Sequence, residues 1–99
     1  MFARVTSAQI PMGKIDKFIE IYEKSVVPAA KAQKGFSGIY LFIDRSTGKG
    51  MSIGLWKSKE EMIATEKNRF FQEQVTKFVT FYIQPPIREE FEVVVRSGA

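Results

Sequence analysis

The chain reads as an α+β domain in the order β-α-β-β-α-β, its four strands forming one antiparallel sheet. Three observations carry that reading. Ile15, Phe18, Ile19, Tyr22 and Val26 recur at the spacing that lines one side of a helix. Ile39 to Asp44 and Met51 to Lys57 are apolar runs joined by Arg45-Ser46-Thr47-Gly48-Lys49-Gly50, a Gly-containing connection of hairpin type. Ser58, followed three residues later by Glu61, forms a capping box that opens a second helix.

Phe2 to Ile10 carries β-branched Val5 and Thr6, is stopped by Pro11 and turned by Gly13, and is predicted as the first strand. The helical stripe then runs to Val26. Pro28 cannot continue the hydrogen-bond ladder without a kink, yet it suits the first turn of a further helical piece, Pro28 to Gln33, that Gly35 closes. After the hairpin, helical character runs from Ser58, with a break near Asn68, through Phe71, Val75, Phe78, Val79 and Tyr82 until Pro85-Pro86 ends it. Glu90 to Arg96 alternates as a fourth strand, and residues 96–99 are expected to be a flexible tail. Residues 1–99 are expected to form a single domain.

The sequence contains no histidine and no cysteine. That removes disulfides, thiolate nucleophiles, imidazole bases and zinc clusters, and leans towards a reducing compartment. With no leader-like start and no run of membrane-spanning length, the expected location is cytoplasmic, with no membrane partner. The net charge of +4 is spread along the chain and interleaved with acids, as in Lys57-Ser58-Lys59-Glu60-Glu61, which is the pattern of a solvated surface. Lys49 to Trp56 matches the basic and glycine positions of an RNA-recognition octapeptide, but Met51 and Ile53 stand where stacking rings are required. No nucleic-acid partner is expected. No Gly-rich phosphate loop follows a strand, so nucleotide and flavin cradles are missing too.

Two helices cover one face of a four-stranded sheet and leave the other to water. Ile39, Leu41 and Ile43 alternate with Tyr40 and Phe42, and Met51, Ile53 and Leu55 alternate with Ser52, Gly54 and Trp56, so both faces carry large apolar groups. Tyr40, Phe42 and Trp56, at roughly 150–250 Å² apiece, exceed what an isolated monomer leaves exposed as one patch. A homodimer stacked sheet against sheet is therefore expected.

The element order, the Gly35-Phe36-Ser37-Gly38 lead into the second strand and the Leu55-Trp56-Lys57-Ser58-Lys59-Glu60 junction together resemble the antibiotic-biosynthesis-monooxygenase family. The resemblance spans Phe2 to Arg96. It implies a ferredoxin-like domain that pairs into a dimeric α+β barrel. The family includes cofactor-independent oxygenases of aromatic polyketides, quinol oxygenases and haem degraders. Haem degraders of this kind use an Asn on the first strand and a Trp and a His on the second helical region, and Thr6, Thr65 and Val75 occupy those positions here. With no imidazole for the iron, the resemblance implies no haem and no other cofactor.

Glu60-Glu61 and Glu89-Glu90 are sequence neighbours that diverge on a helix or strand, so neither is a shared-proton dyad, and no catalytic base is assigned. Trp56, at the strand-to-helix junction, is the leading candidate for substrate contact, joined by Asn68, Phe71, Tyr82, Tyr40 and Thr6 around one cavity, where Gly54 and Ser52 leave room. The resemblance implies a cofactor-free monooxygenase of a small aromatic or quinol-type substrate. The alternative is a non-catalytic module that binds a small apolar or aromatic ligand on the same scaffold.

Overall fold

The computed structural model describes residues 1–81 and 84–98. Strand β1 (Phe2–Gln9) leads through a 3-10 turn, Met12–Lys14, into helix α1 (Ile15–Ile21). One π-helical turn, Tyr22–Val26, joins α1 to α2 (Val27–Lys31). Strands β2 (Phe36–Asp44) and β3 (Lys49–Trp56) form the hairpin. Helices α3 (Lys59–Lys67) and α4 (Phe70–Thr76), a 3-10 turn at Val79–Phe81 and strand β4 (Ile87–Glu92) complete the order. The four strands form one antiparallel sheet in the order β2-β3-β1-β4. Among the described residues no helix is long and apolar enough to cross a membrane.

Pro28 explains the π turn. A proline ring in a continuing helix collides with the carbonyl one turn back. Widening the ladder by one residue relieves the collision, and Val27 N–H bonds Tyr22 O, five residues back. Instead of breaking the helix at Pro28, the chain carries the predicted apolar stripe through, burying Ile15, Phe18, Tyr22 and Val26 together. Gly35 then turns the chain at a φ of 82°, where glycine carries no side-chain penalty.

The second helical region breaks where expected. Asn68 Oδ1 accepts from Phe70 N, and Arg69 takes the left-handed conformation at a φ of 68°. At the start of α3, Ser58 Oγ accepts from Glu61 N, but the Glu61 carboxylate accepts from the Ser58 hydroxyl rather than from its amide.

Two sequence expectations are corrected. The fourth strand begins at Ile87 and stops at Glu92, because its partner β1 starts at Phe2, which faces Glu92. Val93 adds one bond to Met1 O, and Val94 and Val95 are left exposed. Trp56 does not share a face with Tyr40 and Phe42. The hairpin register sets Ile53 opposite Tyr40 and Met51 opposite Phe42, so Trp56 points to the helices and is only 2% exposed.

The inner face therefore carries Phe36, Ile39, Leu41 and Ile43 on β2, Gly50, Ser52, Gly54 and Trp56 on β3, and Arg4, Thr6 and Ala8 on β1. The core splits in two. One cluster surrounds Phe18, Tyr22 and Phe78, and the other surrounds Ala30, Trp56, Met62 and Phe70.

Candidate functional site

Between the two clusters lies a cavity of about 90 Å³. Its floor is the small-residue strip Gly50, Ser52 and Gly54 on β3, flanked by Thr6 and Ala8. Large side chains at those positions would have met the helices. Their absence leaves a void that close packing does not otherwise tolerate. The walls are aromatic: Phe36 and Phe70 stand edge-on to Trp56 at 6.0 and 6.2 Å, and Phe71 and Phe78 close the helical side.

Polar groups interrupt this apolar lining. Tyr22 Oη shares a 2.6 Å hydrogen bond with Ser52 Oγ and donates to Tyr40 O at 3.3 Å. Burial pushes the Tyr22 phenol up to about 12, opposed by the Ser52 hydrogen bond, so it stays neutral at ordinary pH. Arg4, 5% exposed, donates to Thr65 Oγ1 at 2.8 Å and Met62 O at 3.0 Å, and its guanidinium stacks on Phe71 at 4.6 Å. Its Nε has no partner. Trp56 Nε1 and Gln74 Oε1 are also buried without partners. Orphaned polar atoms at this depth each cost about 1–3 kcal/mol unless something binds them.

Arg4 sits among further charges. Glu66 on α3 approaches its Nη2 at 3.9 Å and is held in turn by Arg88 of β4, which also reaches Glu90 at 3.8 Å. Desolvation lowers the Arg4 pKa, Arg88 lowers it further, and Glu66 and Glu90 act in the opposite direction. The guanidinium stays protonated.

Of the residues singled out from sequence, Trp56, Phe71 and Thr6 line this cavity. Tyr40 does not: its side chain lies on the opposite face of the sheet, 49% exposed and stacked on Phe42, because the register turns even-numbered β2 residues outward there. Asn68 is also elsewhere, exposed at the α3–α4 junction, donating to Gln33 and capping α4. Tyr82 lies outside the described residues. Arg4, Tyr22 and Gln74 were missed. Tyr22 hid in the helical stripe, where its ring served as an apolar residue. Arg4 carried a signal, being a charged residue in mid-strand on the same side as Phe2 and Thr6.

Haem does not fit these residues. The chain offers no imidazole, the Tyr22 hydroxyl is engaged, and among the described residues no cluster of His, Cys, Asp or Glu could hold a metal. About 90 Å³ is also far below the roughly 300–1,000 Å³ of ordinary ligand clefts.

No family model matches the chain. Two curated proteins of Mycobacterium tuberculosis strains, Uncharacterized protein Rv2557 and Uncharacterized protein MT2634, are each 33% identical to it over 66 residues, or 67% of this chain. That match spans only 28% of the length of either relative. Solved structures share the fold at lower identity. A variant of SnoaB, a cofactor-independent oxygenase from Streptomyces nogalater, superposes with a TM-score of 0.80 at 14% identity, covering 96% of this chain and 94% of that one. A Nitrosomonas europaea protein provisionally named an antibiotic biosynthesis monooxygenase gives 0.78 at 9% identity, over 96% and 100%. The heme-degrader MhuD of M. tuberculosis, with two hemes bound in its active site, gives 0.72 at 17% identity, over 99% and 100%. The chain has the ferredoxin-like α+β fold of these proteins.

Proposed function

We propose that the chain is a cofactor-independent monooxygenase of a single-ring quinol, acting in the cavity between sheet and helices. The observation that carries this is the cavity itself: an aromatic-walled void over Gly50, Ser52 and Gly54, too small for a multi-ring ligand and holding buried polar atoms that lack partners. Chemistry of this kind asks little of the protein. An ionised quinol donates an electron pair to O2, forming a C–O bond at a ring carbon. The resulting hydroperoxide loses water together with the ring proton, leaving a carbonyl. One oxygen atom stays in the product and the other leaves as water, so no external reductant is needed. The protein contributes exclusion of water and orientation of the ring. Trp56, Phe71 and Thr6 are the substrate contacts in this reading, and the SnoaB fold supports it.

Dimerisation belongs to the same proposal. The outer face presents Tyr40 and Phe42 beside Met51, Ile53 and Leu55, then Ala3 and Val5, then Phe91 and Ile87. Tyr40, Phe42, Phe91 and Ile87 are each about half exposed or more. A second copy laid sheet to sheet covers this face.

A non-catalytic binding module is the rival. It is favoured by one observation: no carboxylate or lysine lines the cavity among the described residues, so no protein base faces a substrate. Oxygen uptake with a panel of single-ring hydroquinones, read alongside ligand-detected binding, separates the two. Turnover that is lost in Trp56→Phe and Phe71→Ala is expected. Binding of the panel with no oxygen consumed overturns the enzyme and leaves the module.

A further inference from the structure

We infer that the cavity binds its ligand as an anion, with an ionised oxygen seated over Gly54 between Arg4 Nε and Trp56 Nε1. The inference rests on the cavity being the ligand site, as proposed above, and adds which side chains hold the ionised oxygen.

The geometry comes from β3 and its neighbour. Arg4 is the cross-strand partner of Gly54, and the Trp56 indole lies across the same glycine, its Nε1 3.5 Å from where a Gly54 side chain would begin. A residue with no side chain thus lies beside Trp56 Nε1 and across the strand pair from Arg4, whose Nε, like the indole N–H, is buried with no acceptor. Both donor residues are more than nine-tenths buried and line the cavity. Two unpartnered donors lining one cavity, one of them cationic, fit an oxyanion better than a neutral oxygen, because charge-assisted hydrogen bonds are roughly twice as strong.

Charge points the same way. Arg4 is the only charged residue lining the cavity among the described residues. Of its counter-charges, Glu66 stands off at 3.9 Å on the Nη2 side and is shared with Arg88, and Glu90 acts on it more weakly. Nothing neutralises the Nε edge. The third orphan, Gln74 Oε1 on α4, needs a donor, which a second, un-ionised hydroxyl supplies. Two donors and one acceptor therefore match the monoanion of a dihydroxyarene. A site that stabilises the ionised ligand also needs no base of its own, which accounts for the absence of one.

The test uses two probes of one shape, para-nitrophenol and nitrobenzene. The phenolate absorbs in the visible, so its ionisation is read directly while bound. With saturating protein the bound phenol is expected to titrate about one pKa unit below its value in water, which is about a tenfold preference for the ionised form. Arg4→Met is expected to abolish that displacement while nitrobenzene still binds. Should Arg4→Met not fold, Trp56→Phe keeps the ring, removes the N–H and must lose part of the displacement. The groups facing Arg4 are Glu66 of α3 and Arg88 and Glu90 of β4, and Tyr22 stays neutral below about 12, so the titration is followed from about two units below to about two units above the probe's own pKa in water. Nitrobenzene binding with a phenol that titrates as in water, or higher, overturns the anion subsite alone. Binding by neither probe overturns the cavity as a ligand site and this inference with it.

Discussion

The two faces of the sheet are built from the same alternating strands and yet solve opposite problems. On the inner face β3 contributes Gly50, Ser52 and Gly54 before Trp56, and the helices above cannot fill the space that results. On the outer face the same strand contributes half-buried Met51, Ile53 and Leu55 beside Tyr40 and Phe42, which are about half exposed among the described residues. A covered face lined with small residues makes a cavity, while an uncovered face lined with large ones leaves an apolar surface, the one proposed above to receive a second copy. Pleating lets one strand do both, because neighbouring side chains answer to different surroundings.

Substitutions on the two faces should therefore fail differently. Trp56→Ala is expected to be the most damaging change, costing about 3–5 kcal/mol of folding stability, because it empties the centre of the cluster with Phe36, Phe70 and Met62. Chemical denaturation measures it. A Trp56→Ala protein as stable as the parent would show that the inner face is not the core. Replacing Tyr40 and Phe42 together by serine should instead leave the protomer within about 1 kcal/mol of its parent stability, since both are half exposed. It should weaken self-association by about 2–4 kcal/mol, as expected when interface anchors are truncated. Sedimentation across a concentration series reads the effect, and an unchanged molar mass would remove the outer face as the interface.

How far the sequence alone reached follows from the same contrast. The helical stripe, the capping box and the hairpin were legible because each depends on local spacing, which backbone geometry translates directly into a face or a turn. The side on which Trp56 falls was not, because it depends on which residue of β3 meets which residue of β2. The pairing of Tyr40 with Ile53 decides it, and a slip of one residue would reverse every assignment. The β-bulge between Phe36 and Gly38 then sets Phe36, not Ser37, opposite Trp56. The site residues split along the same line. Trp56 came from the strand-to-helix junction, Phe71 from the second helical stripe and Thr6 from the family resemblance, and all three line the cavity. Tyr40 and Asn68 do not, since the first is turned outward by register and the second is used in a helix cap. Arg4 could be located only once Thr65 and Met62, about sixty residues away in sequence, were seen to accept its hydrogen bonds.

The polar centre of the inner face has its own pH signature. Tyr22 ionises near 10 in an unfolded chain and is pushed up to about 12 by burial in the folded one. A raised pKa means that the folded state holds the proton more tightly, so this contribution is fully present below pH 10 and is lost as pH climbs towards 12. Tyr22→Phe should therefore cost about 1 kcal/mol near neutrality, by leaving Ser52 Oγ without its partner, and should flatten the alkaline decline. Thermal melts of both proteins from neutral to strongly alkaline pH test this. Parallel alkaline limbs would mean that the Tyr22 hydroxyl is not sequestered from water.

The smallest expected change in stability is also the one that best separates space from structure. At Gly54 an added methyl would lie 3.5 Å from Trp56 Nε1 and 3.9 Å from its Cε2, ordinary contact distances, so Gly54→Ala should fold with a change of less than about 1 kcal/mol. At Gly50 the same methyl would come within 2.8 Å of Ile10 Cδ1 and 3.2 Å of Ile43 Cδ1. Ile10 is fully buried, so Gly50→Ala should cost about 1–3 kcal/mol through overpacking. The two glycines lie on one strand, four residues apart and on one face, yet only Gly54 borders open space beside the indole N–H. Gly54→Ala should therefore weaken ligand binding several-fold while denaturation stays near that of the parent. If Gly54→Ala binds as the parent does, the space over that glycine is not where the ligand sits. The cavity would then have to be used from its Tyr22–Ser52 end.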